Sequence, residues 1–191
     1  MQLILASQSP RRRDLLQLLR VPFTVCPADI DETMDPSIPP MHAVAQISRL
    51  KAEATPRNPG DVVIAADTIV VLEDRILGKP ANRQEALDML RSLSGEDHQV
   101  MTGLTVLRDD RVITHTEITD VHFRPLSEEE ILRYVETGEP MDKAGAYGIQ
   151  GYAAPFVSGI RGDYYNVMGL PLCRLQQMLR QVAPDYMEEF Q

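Results

Sequence analysis

Short runs of apolar and β-branched residues recur along the chain and predict the strands of a sheet. The strongest run is Val62 to Leu72, where apolar positions follow one another almost without a break. Such continuity is typical of a strand that is buried on both faces. A tight turn at residues 73–75 then leads to a second short apolar strand, so the two are predicted to form a hairpin. The other predicted strands are Gln2–Ala6, Phe23–Cys26, His98–Leu107, Val112–Phe123 and Phe156–Ile160.

Between the strands, apolar residues recur at the three- and four-residue spacing of amphipathic helices. Ser9, followed by a proline, is a favoured N-cap for the first helix. Capping boxes open two later helices, with Asn82 and Glu85 in one and Ser127 and Glu130 in the other. The remaining predicted helices span Met41–Thr55 and Leu170–Val182.

The order of these elements indicates the fold class. Strands alternate with helices in the first half, and a long hairpin over residues 98–123 occupies the middle. That order predicts an α/β fold with a mixed twisted sheet, flanking helices and two lobes around a cleft. Because no repeat, low-complexity segment or linker interrupts the chain, residues 1–191 are predicted to form a single domain, with a frayed acidic tail over residues 184–191.

Asp67 and Thr68 interrupt the apolar run of the strongest strand. Burying a carboxylate costs several kcal/mol unless the carboxylate is paired or coordinated. The hairpin predicts that Lys79 returns beside Asp67 and supplies such a partner. A carboxylate and an ammonium group held on rigid strands suit metal and phosphate chemistry. A structural ion pair in the core is an equally good interpretation of this stretch taken alone.

Arg11, Arg12 and Arg13 lie in the first turn of the first predicted helix. Cations at a helix N-terminus oppose the helix dipole, which favours anions there. A phosphate held by first-turn N–H groups, serine hydroxyls and guanidinium groups would offset that cost. The alternative is that Arg13 and one neighbour simply extend into water. The loop does not have the GxxxxGK[ST] pattern of a P-loop.

Two further segments have the composition of ligand-binding loops. Asp29 to Glu32 contains three carboxylates in four residues, which suits a hard cation such as Mg²⁺ beside substrate phosphates. The same composition also suits an ordinary solvated loop. Gly138 to Gly151 is rich in glycine and shows no hydrophobic period, so its backbone is predicted to approach another group closely.

Composition excludes several classes of function. A net charge of −9 argues against a protein that coats nucleic acids. The two cysteines, Cys26 and Cys173, form no CxxC motif, which indicates a reducing, cytoplasmic location. We expect no signal peptide and no membrane partner, since no apolar run approaches the ~20 residues of a membrane span. The four histidines lack zinc-ligand spacing, and GxSxG and GxGxxG motifs are absent.

The charged residues that remain suit a metal-assisted attack of water on a polyphosphate. Cations would hold the phosphates, a metal would span carboxylate and phosphate, and a carboxylate would orient the water. The acidic candidates are Glu32, Asp67 and Asp142, and the basic candidates are Arg11, Arg12, Lys51, Lys79 and Lys143.

Seven segments stand in unbroken order between Leu3 and about Leu179. They are LASQSPRR at Leu5–Arg12, DE at Asp31–Glu32, the helix bearing Lys51, ADT at Ala66–Thr68, GKP at Gly78–Pro80, DKAGAYGIQG at Asp142–Gly151 and GDYYNVMGLPL at Gly162–Leu172. Together they resemble the Maf family of nucleoside triphosphate pyrophosphatases. SPRR and DKAGAYGIQG are specific signals, whereas ADT alone is weak. The resemblance implies a two-lobed α/β fold with a cleft, shared in outline with the inosine triphosphate pyrophosphatases.

The resemblance also implies a reaction and a set of site residues. The reaction is hydrolysis of a nucleoside triphosphate between the α- and β-phosphates, giving a monophosphate and pyrophosphate. Asp67 matches the family's catalytic base, and a divalent cation, Mg²⁺ or Mn²⁺, is the implied cofactor, with Glu32 and Asp67 as its ligands. The implied phosphate-binding residues are Ser7, Arg11, Arg12, Lys51 and Lys79.

Arg11, Thr68 and Gln150 are similar to the specificity residues of the family branch that acts on dTTP and UTP. A sister branch, which acts on 7-methyl-GTP, has other residues at these positions. The resemblance further suggests a house-cleaning role against modified nucleotides and assembly as a homodimer. Two alternatives stay open: a nucleotide-sensing regulator of cell division and septum formation without turnover, and a purine-selective pyrophosphatase. The complete set of Asp67, Lys79 and Glu32 favours turnover, because a protein that only binds nucleotides does not need a base.

Overall fold

The computed structural model describes residues 1–189, and over that range it contains seven strands and seven α-helices. The strands are β1 (Leu3–Leu5), β2 (Thr24–Val25), β3 (Val62–Leu72), β4 (Arg75–Leu77), β5 (Asp97–Arg108), β6 (Arg111–Phe123) and β7 (Val157–Arg161). The helices are α1 (Pro10–Gln17), α2 (Pro40–Ala54), α3 (Arg83–Leu93), α4 (Glu128–Glu136), α5 (Tyr164–Met168), α6 (Leu172–Val182) and α7 (Pro184–Glu189). Of the helices described, none combines the length and the apolar character needed to cross a membrane.

The strands of the described chain form a mixed sheet in the order β2-β1-β3-β5-β6-β7, with β4 paired to β3. β1 is parallel to both β2 and β3, whereas β4 is antiparallel to β3 and β7 is antiparallel to β6. Parallel neighbours need crossover connections, and α1 and α2 lie in the segments that make them. The predicted α/β class, with a mixed sheet and flanking helices, is therefore confirmed.

The first of two compact units comprises residues 1–67, 102–117 and 169–189. Its buried apolar residues include Ile4 on β1 and Val63 on β3, which belong to one small core cluster. These two side chains are fully or almost fully removed from water. The buried apolar backbone of β1 and β3 therefore supports two polar residues, Ser7 shortly after β1 and Asp67 in the middle of β3.

The second unit comprises residues 68–101 and 118–168 and has a core with aromatic side chains at its centre. The ring of Phe123 meets that of Tyr147 edge to face at 4.8 Å and that of Phe156 at 6.2 Å. Edge-to-face pairs are worth about 0.5–1.5 kcal/mol beyond the area that they bury. Tyr147 belongs to the glycine-rich loop, so these contacts attach that loop to the sheet.

Helix α2 lies very close to β5 within the first unit. A Cβ atom at Gly103 would overlap the carbonyl oxygen of Val44, so only glycine permits this approach. Beside it, the hydroxyls of Ser48 and Thr105 are 2.8 Å apart and form a buried hydrogen bond. These contacts fix the position of α2, and with it the side chain of Lys51.

Of the two capping boxes that the sequence predicts, the structure contains one in full, at α4, and part of the other, at α3. At α4 both halves of the capping box are present, since Ser127 accepts from the Glu130 N–H and the Glu130 side chain accepts from the Ser127 N–H. At α3 the Asn82 side chain accepts from the Glu85 N–H at 2.9 Å. The Glu85 carboxylate accepts from the N–H of Ala81, however, and not from that of Asn82. The capping box predicted at α3 is therefore only half formed, since its Asn82 contact is present and its Glu85 contact is not.

The C-terminal segment differs from the frayed tail that the sequence predicts. Pro184–Glu189 forms α7, and the Arg108 guanidinium donates to the Asp185 carboxylate at 2.6 Å. The Tyr186 side chain is buried, and its hydroxyl donates to the carbonyl of Pro22. Both contacts join residues that are distant in sequence, so local composition could not reveal them. Residues 190 and 191 of the predicted tail lie outside the described part of the chain.

Candidate active site

Asp67, the carboxylate that interrupts the central strand, lies on β3 in the first unit and is paired with a lysine. Lys51, in the last turn of α2, donates from Nζ to Asp67 Oδ1 at 2.8 Å. The same Nζ lies 3.1 Å from Glu32 Oε1. The side chains of Lys51 and Asp67 are only 10% and 13% exposed. One nearly buried ammonium group is therefore shared by two carboxylates.

The ammonium that pairs with Asp67 is thus that of Lys51, and the hairpin argument for Lys79 was wrong. The hairpin itself is confirmed, because β4 is antiparallel to β3 with Val70 opposite Leu77. Lys79 follows β4 and is exposed. The argument failed because it considered only neighbours along the hairpin, whereas Lys51 arrives on a helix that is positioned by contacts remote from it in sequence.

The loop between β1 and α1 brings a hydroxyl and a guanidinium together. Ser7 is buried, and its Oγ accepts from Arg12 Nη1 at 3.3 Å and from the Ser9 N–H at 3.2 Å. Arg12 Nε donates to the carbonyl oxygen of Gly169 at 2.8 Å. Burial lowers the pKa of Arg12, while the negative charge of Asp67 opposes that shift. Arg12 is therefore a fixed cation within electrostatic range of Asp67.

The three arginines that begin α1 have different surroundings. Arg12 is held as described, whereas Arg13 is exposed, with its Nε 3.9 Å from the Asp14 carboxylate. That position matches the alternative in which Arg13 extends into water. Arg11 is half-buried, and its charge adds to the effect of burial in lowering the pKa of Arg12. Two cations thus stand close together at a helix N-terminus, which is an arrangement that an anion stabilises.

The acidic loop before α2 contributes one carboxylate to this cluster. Of its three candidates, Glu32 is the one that reaches Lys51. Asp31 instead accepts the Thr33 N–H at 2.9 Å, and the hydrogen bonding from Thr33 lowers the pKa of Asp31. Asp29 is exposed. The carboxylates of this loop are therefore exposed, as the alternative interpretation predicts, and Glu32, whose side chain is 54% exposed, also contacts the Lys51 ammonium.

In the second unit, Thr68 continues β3 directly after Asp67 and is half-buried. The carbonyl oxygen of Gly78, just before Lys79, accepts the N–H of Gly145 at 3.0 Å. The segment that bears Lys79 is therefore attached to the glycine-rich loop.

Gln150 lies at the exposed tip of that loop. The Gly151 N–H donates to the Gly148 carbonyl at 3.0 Å, which closes a turn with Ile149 and Gln150 at its centre. Ile149 is buried in the core of the second unit, whereas Gln150 is exposed. The turn thus anchors one central residue and presents the amide of the other.

The remaining candidates in this loop, Asp142 and Lys143, contact each other. Lys143 Nζ donates to Asp142 Oδ1 at 2.6 Å and to the backbone carbonyl of Glu139 at 2.7 Å. The sequence analysis did not single out Glu139, although its carboxylate lies directly against the glycines of the loop. An acidic residue at the start of a glycine-rich segment was the available signal.

Comparison with known proteins identifies the family of this chain. The family model described as "Maf-like protein" matches residues 2–182. This chain belongs to the Maf family. Proteins from Symbiobacterium thermophilum and Halalkalibacterium halodurans, both named "dTTP/UTP pyrophosphatase", are each 54% identical to it. The first alignment covers 94% of this Maf chain and 93% of the relative, and the second covers 93% and 94%. The resemblance seen in the sequence motifs is confirmed.

A solved structure of a HAM1 protein from Coxiella burnetii shares the fold of this Maf chain. The TM-score is 0.51, and the match covers 95% of this chain and 99% of that one. The two sequences are 14% identical, so the likeness concerns the fold alone.

The Maf chain has a donor set that fits a divalent cation bound together with substrate. Glu32 and Asp67 contact the same Lys51 Nζ at 3.1 and 2.8 Å, so their two oxygens are no further apart than the sum of those distances. Over residues 1–189, no group of three or more His, Cys, Asp or Glu side chains is placed to hold a metal. Mg²⁺ is usually bound by one or two carboxylates plus substrate phosphates, and Glu32 and Asp67 are the two carboxylates that would hold it here.

Proposed function

We propose that this protein hydrolyses dTTP and UTP to the monophosphate and pyrophosphate. The observation that carries the proposal is the arrangement of Asp67, Lys51 and Arg12, in which a carboxylate on a rigid strand is paired with one cation and stands within electrostatic range of another. The relatives at 54% identity, which bear the name dTTP/UTP pyrophosphatase, support the substrates. A house-cleaning role against modified nucleotides is consistent with this chemistry.

In the proposed reaction Asp67 is the general base. Its Oδ1 accepts the hydrogen bond from Lys51, and we assign Oδ2 to the attacking water. Asp67 takes a proton from the water as the water oxygen bonds to the α-phosphorus. The bond from the α-phosphorus to the bridging oxygen breaks, and pyrophosphate leaves with the electron pair. The products are a nucleoside monophosphate and pyrophosphate.

The basic residues bind the phosphates in this proposal. Arg12 is already held by Ser7 and Gly169, so little reorganisation is needed when phosphate oxygens replace water around it. Arg11 and Lys51 add positive charge, and Lys79 is assigned to the phosphates from its place in the GKP segment. A divalent cation, Mg²⁺ or Mn²⁺, held by Glu32 and Asp67 would neutralise charge on the phosphates.

Base selection is assigned to Arg11, Thr68 and Gln150. Gln150 is the strongest of the three, because an amide both donates and accepts hydrogen bonds and can match fixed groups of uracil or thymine. A base with a different pattern leaves polar groups unpaired on binding, which is how such sites discriminate. The exposed position of Gln150 at the tip of its turn makes the amide available for this contact.

A panel of nucleoside triphosphates tests the proposed function. With Mg²⁺ or Mn²⁺ present, we expect UTP and dTTP to be hydrolysed well ahead of CTP, and all three ahead of GTP, ATP and ITP. Chromatography should resolve pyrophosphate and the monophosphate as the products. Release of orthophosphate and a diphosphate would contradict the cleavage position. A preference for purines would identify a purine-selective enzyme, and tight binding without products would identify a nucleotide sensor.

Replacing Gln150 by alanine tests base selection. The variant should lose about 1–3 kcal/mol of transition-state binding for UTP, a roughly tenfold to hundredfold fall in kcat/KM, because polar groups of the base lose their partner. Hydrolysis of GTP should change much less, since the phosphate contacts are untouched. Gln84→Ala, which removes an exposed glutamine from α3, is the matched control. An equal loss on every nucleotide would show that Gln150 does not select the base.

A further inference from the structure

The carboxylate of Glu139 is hydrogen-bonded to both sides of the turn that carries Gln150. Its Oε2 accepts the Tyr152 N–H at 2.9 Å. Its Oε1 accepts from the Tyr134 hydroxyl at 3.1 Å, and that hydroxyl in turn accepts the Gly148 N–H at 3.2 Å. The Glu139 carboxylate thus holds Tyr152, two residues after Gln150, by a direct hydrogen bond. It holds Gly148, two residues before Gln150, through the Tyr134 hydroxyl.

Close packing shows that the loop is pressed onto this carboxylate. A Cβ atom at Gly151 would overlap Glu139 Oε1, and one at Gly148 would lie 2.7 Å from Lys143 Cε. Lys143 also donates to the carbonyl oxygen of Glu139 at 2.7 Å. A side chain at either of the two glycines that flank Ile149 and Gln150 would therefore displace Glu139 or Lys143 from its present position.

The charge on the carboxylate matters because its two oxygens accept from two separate donors, the Tyr134 hydroxyl and the Tyr152 N–H. Burial raises the pKa of Tyr134, and the charge of Glu139 raises it further. Both effects favour the protonated phenol, which donates to Glu139 Oε1. An amide at position 139 could offer only one acceptor oxygen and would turn an N–H group toward one of the two donors.

We propose that Glu139 is a positioning residue for base selection. Its carboxylate holds residues 148–152 in one conformation, so the amide of Gln150 meets the base in a fixed orientation. Fixed donors and acceptors discriminate between bases, whereas a mobile amide would adapt to several. This inference rests on the proposed role of Gln150. A carboxylate that only stabilised the fold would affect all nucleotides alike.

The test compares Glu139→Gln with a control, Glu136→Gln. Glu136 lies three residues before Glu139, and its exposed carboxylate faces Arg83. In Glu139→Gln we expect kcat/KM to fall about tenfold for UTP and less than about threefold for GTP. The selectivity, defined as the ratio of kcat/KM for UTP to that for GTP, therefore decreases. In a Gln150→Ala background, Glu139→Gln should change UTP hydrolysis by less than about twofold, because the residue that it positions is absent. Glu136→Gln should leave both nucleotides unchanged.

Amide hydrogen exchange gives a second measurement that does not depend on turnover. The amides of Gly148 and Tyr152 should exchange faster in Glu139→Gln than in the wild type, and unchanged exchange would overturn the inference. Tyr134→Phe keeps the ring but removes the hydroxyl that links Glu139 to Gly148, so it should also lower the selectivity for UTP over GTP. This variant replaces Glu139→Gln if Glu139→Gln does not fold.

The outcomes separate this inference from the proposed function. If Gln150→Ala contracts selectivity and Glu139→Gln does not, the positioning role is wrong and the role of Gln150 stands. If the two substitutions lower UTP hydrolysis independently in the double variant, the positioning role is again wrong. If Gln150→Ala leaves selectivity intact, the assignment of base selection fails and the inference falls with it. If no triphosphate is hydrolysed at all, the proposed function itself fails.

Discussion

Replacing Asp67 by asparagine is expected to lower UTP turnover by about 10²–10⁴-fold, the usual contribution of a positioned general base. Asparagine keeps the shape of the side chain but cannot take a proton from water. The fold should persist, because Lys51 keeps its contact with Glu32 at 3.1 Å and is not left without a carboxylate. Turnover and melting temperature measured on the same preparation test both statements.

A buried carboxylate with a structural role provides the contrast. Asp61 precedes β3, and its two oxygens accept the backbone N–H groups of Gln2 at 2.9 Å and Asn58 at 3.0 Å. Asp61→Asn would turn an amide N–H group toward one of these donors, which costs about 1–3 kcal/mol of stability, while turnover of the folded enzyme should be retained. If Asp67→Asn showed that second pattern, Asp67 would be a structural ion-pair partner and not the base.

The local features of the candidate site could be predicted because their causes lie within a few residues. The continuous apolar run identifies β3 and makes Asp67 stand out as a polar interruption. Ser9 and the proline after it begin α1, so Arg12 falls in its first turn, and the Ser9 side chain does accept the Arg12 N–H. Patterns of this kind depend on dihedral preferences and periodicity, which the sequence shows directly.

The partner of Asp67 could not be predicted from such patterns. Lys51 lies sixteen residues earlier on α2, and although the family resemblance assigns it to phosphate binding, nothing in its local pattern shows that it pairs with Asp67. Its position depends on the approach of α2 to β5, which requires glycine at 103 beside the Val44 carbonyl. Choosing between Lys51 and Lys79 therefore required the packing of a helix on the sheet, which is a non-local property.

Glu139 was missed for a different physical reason. It lies in a segment with short 3₁₀ turns and no hydrophobic period, where neither helix nor strand rules apply. The glycines at 148 and 151 indicated a close approach, but the approaching group comes from the same loop nine to twelve residues earlier. Sequence spacing alone does not show that such a loop folds back on its own first residues.

Replacing Lys51 by methionine is expected to lower UTP turnover by about 10²–10³-fold, the usual loss when one preorganised charge-stabilising group is removed. Stability should fall as well. Glu32 and Asp67 would be left close together without the ammonium group that they share, and breaking a buried ion pair costs up to about 3–5 kcal/mol. Thermal unfolding in buffer without divalent cations measures this loss.

Adding Mg²⁺ should then restore more stability to Lys51→Met than it adds to the wild type. In the proposed site the Lys51 ammonium and a divalent cation would compete for the carboxylates of Glu32 and Asp67, so removing the ammonium would free both carboxylates for the metal. A ligand at 100 times its Kd stabilises the folded state by about 2.7 kcal/mol, which is readily seen as a rise in melting temperature. Arg49→Met, which removes an exposed cation of α2 paired with Glu53 at 2.7 Å, is the matched control and should show no added response to Mg²⁺. An equal Mg²⁺ response in the wild type and in Lys51→Met would contradict the assignment of Glu32 and Asp67 as the metal ligands.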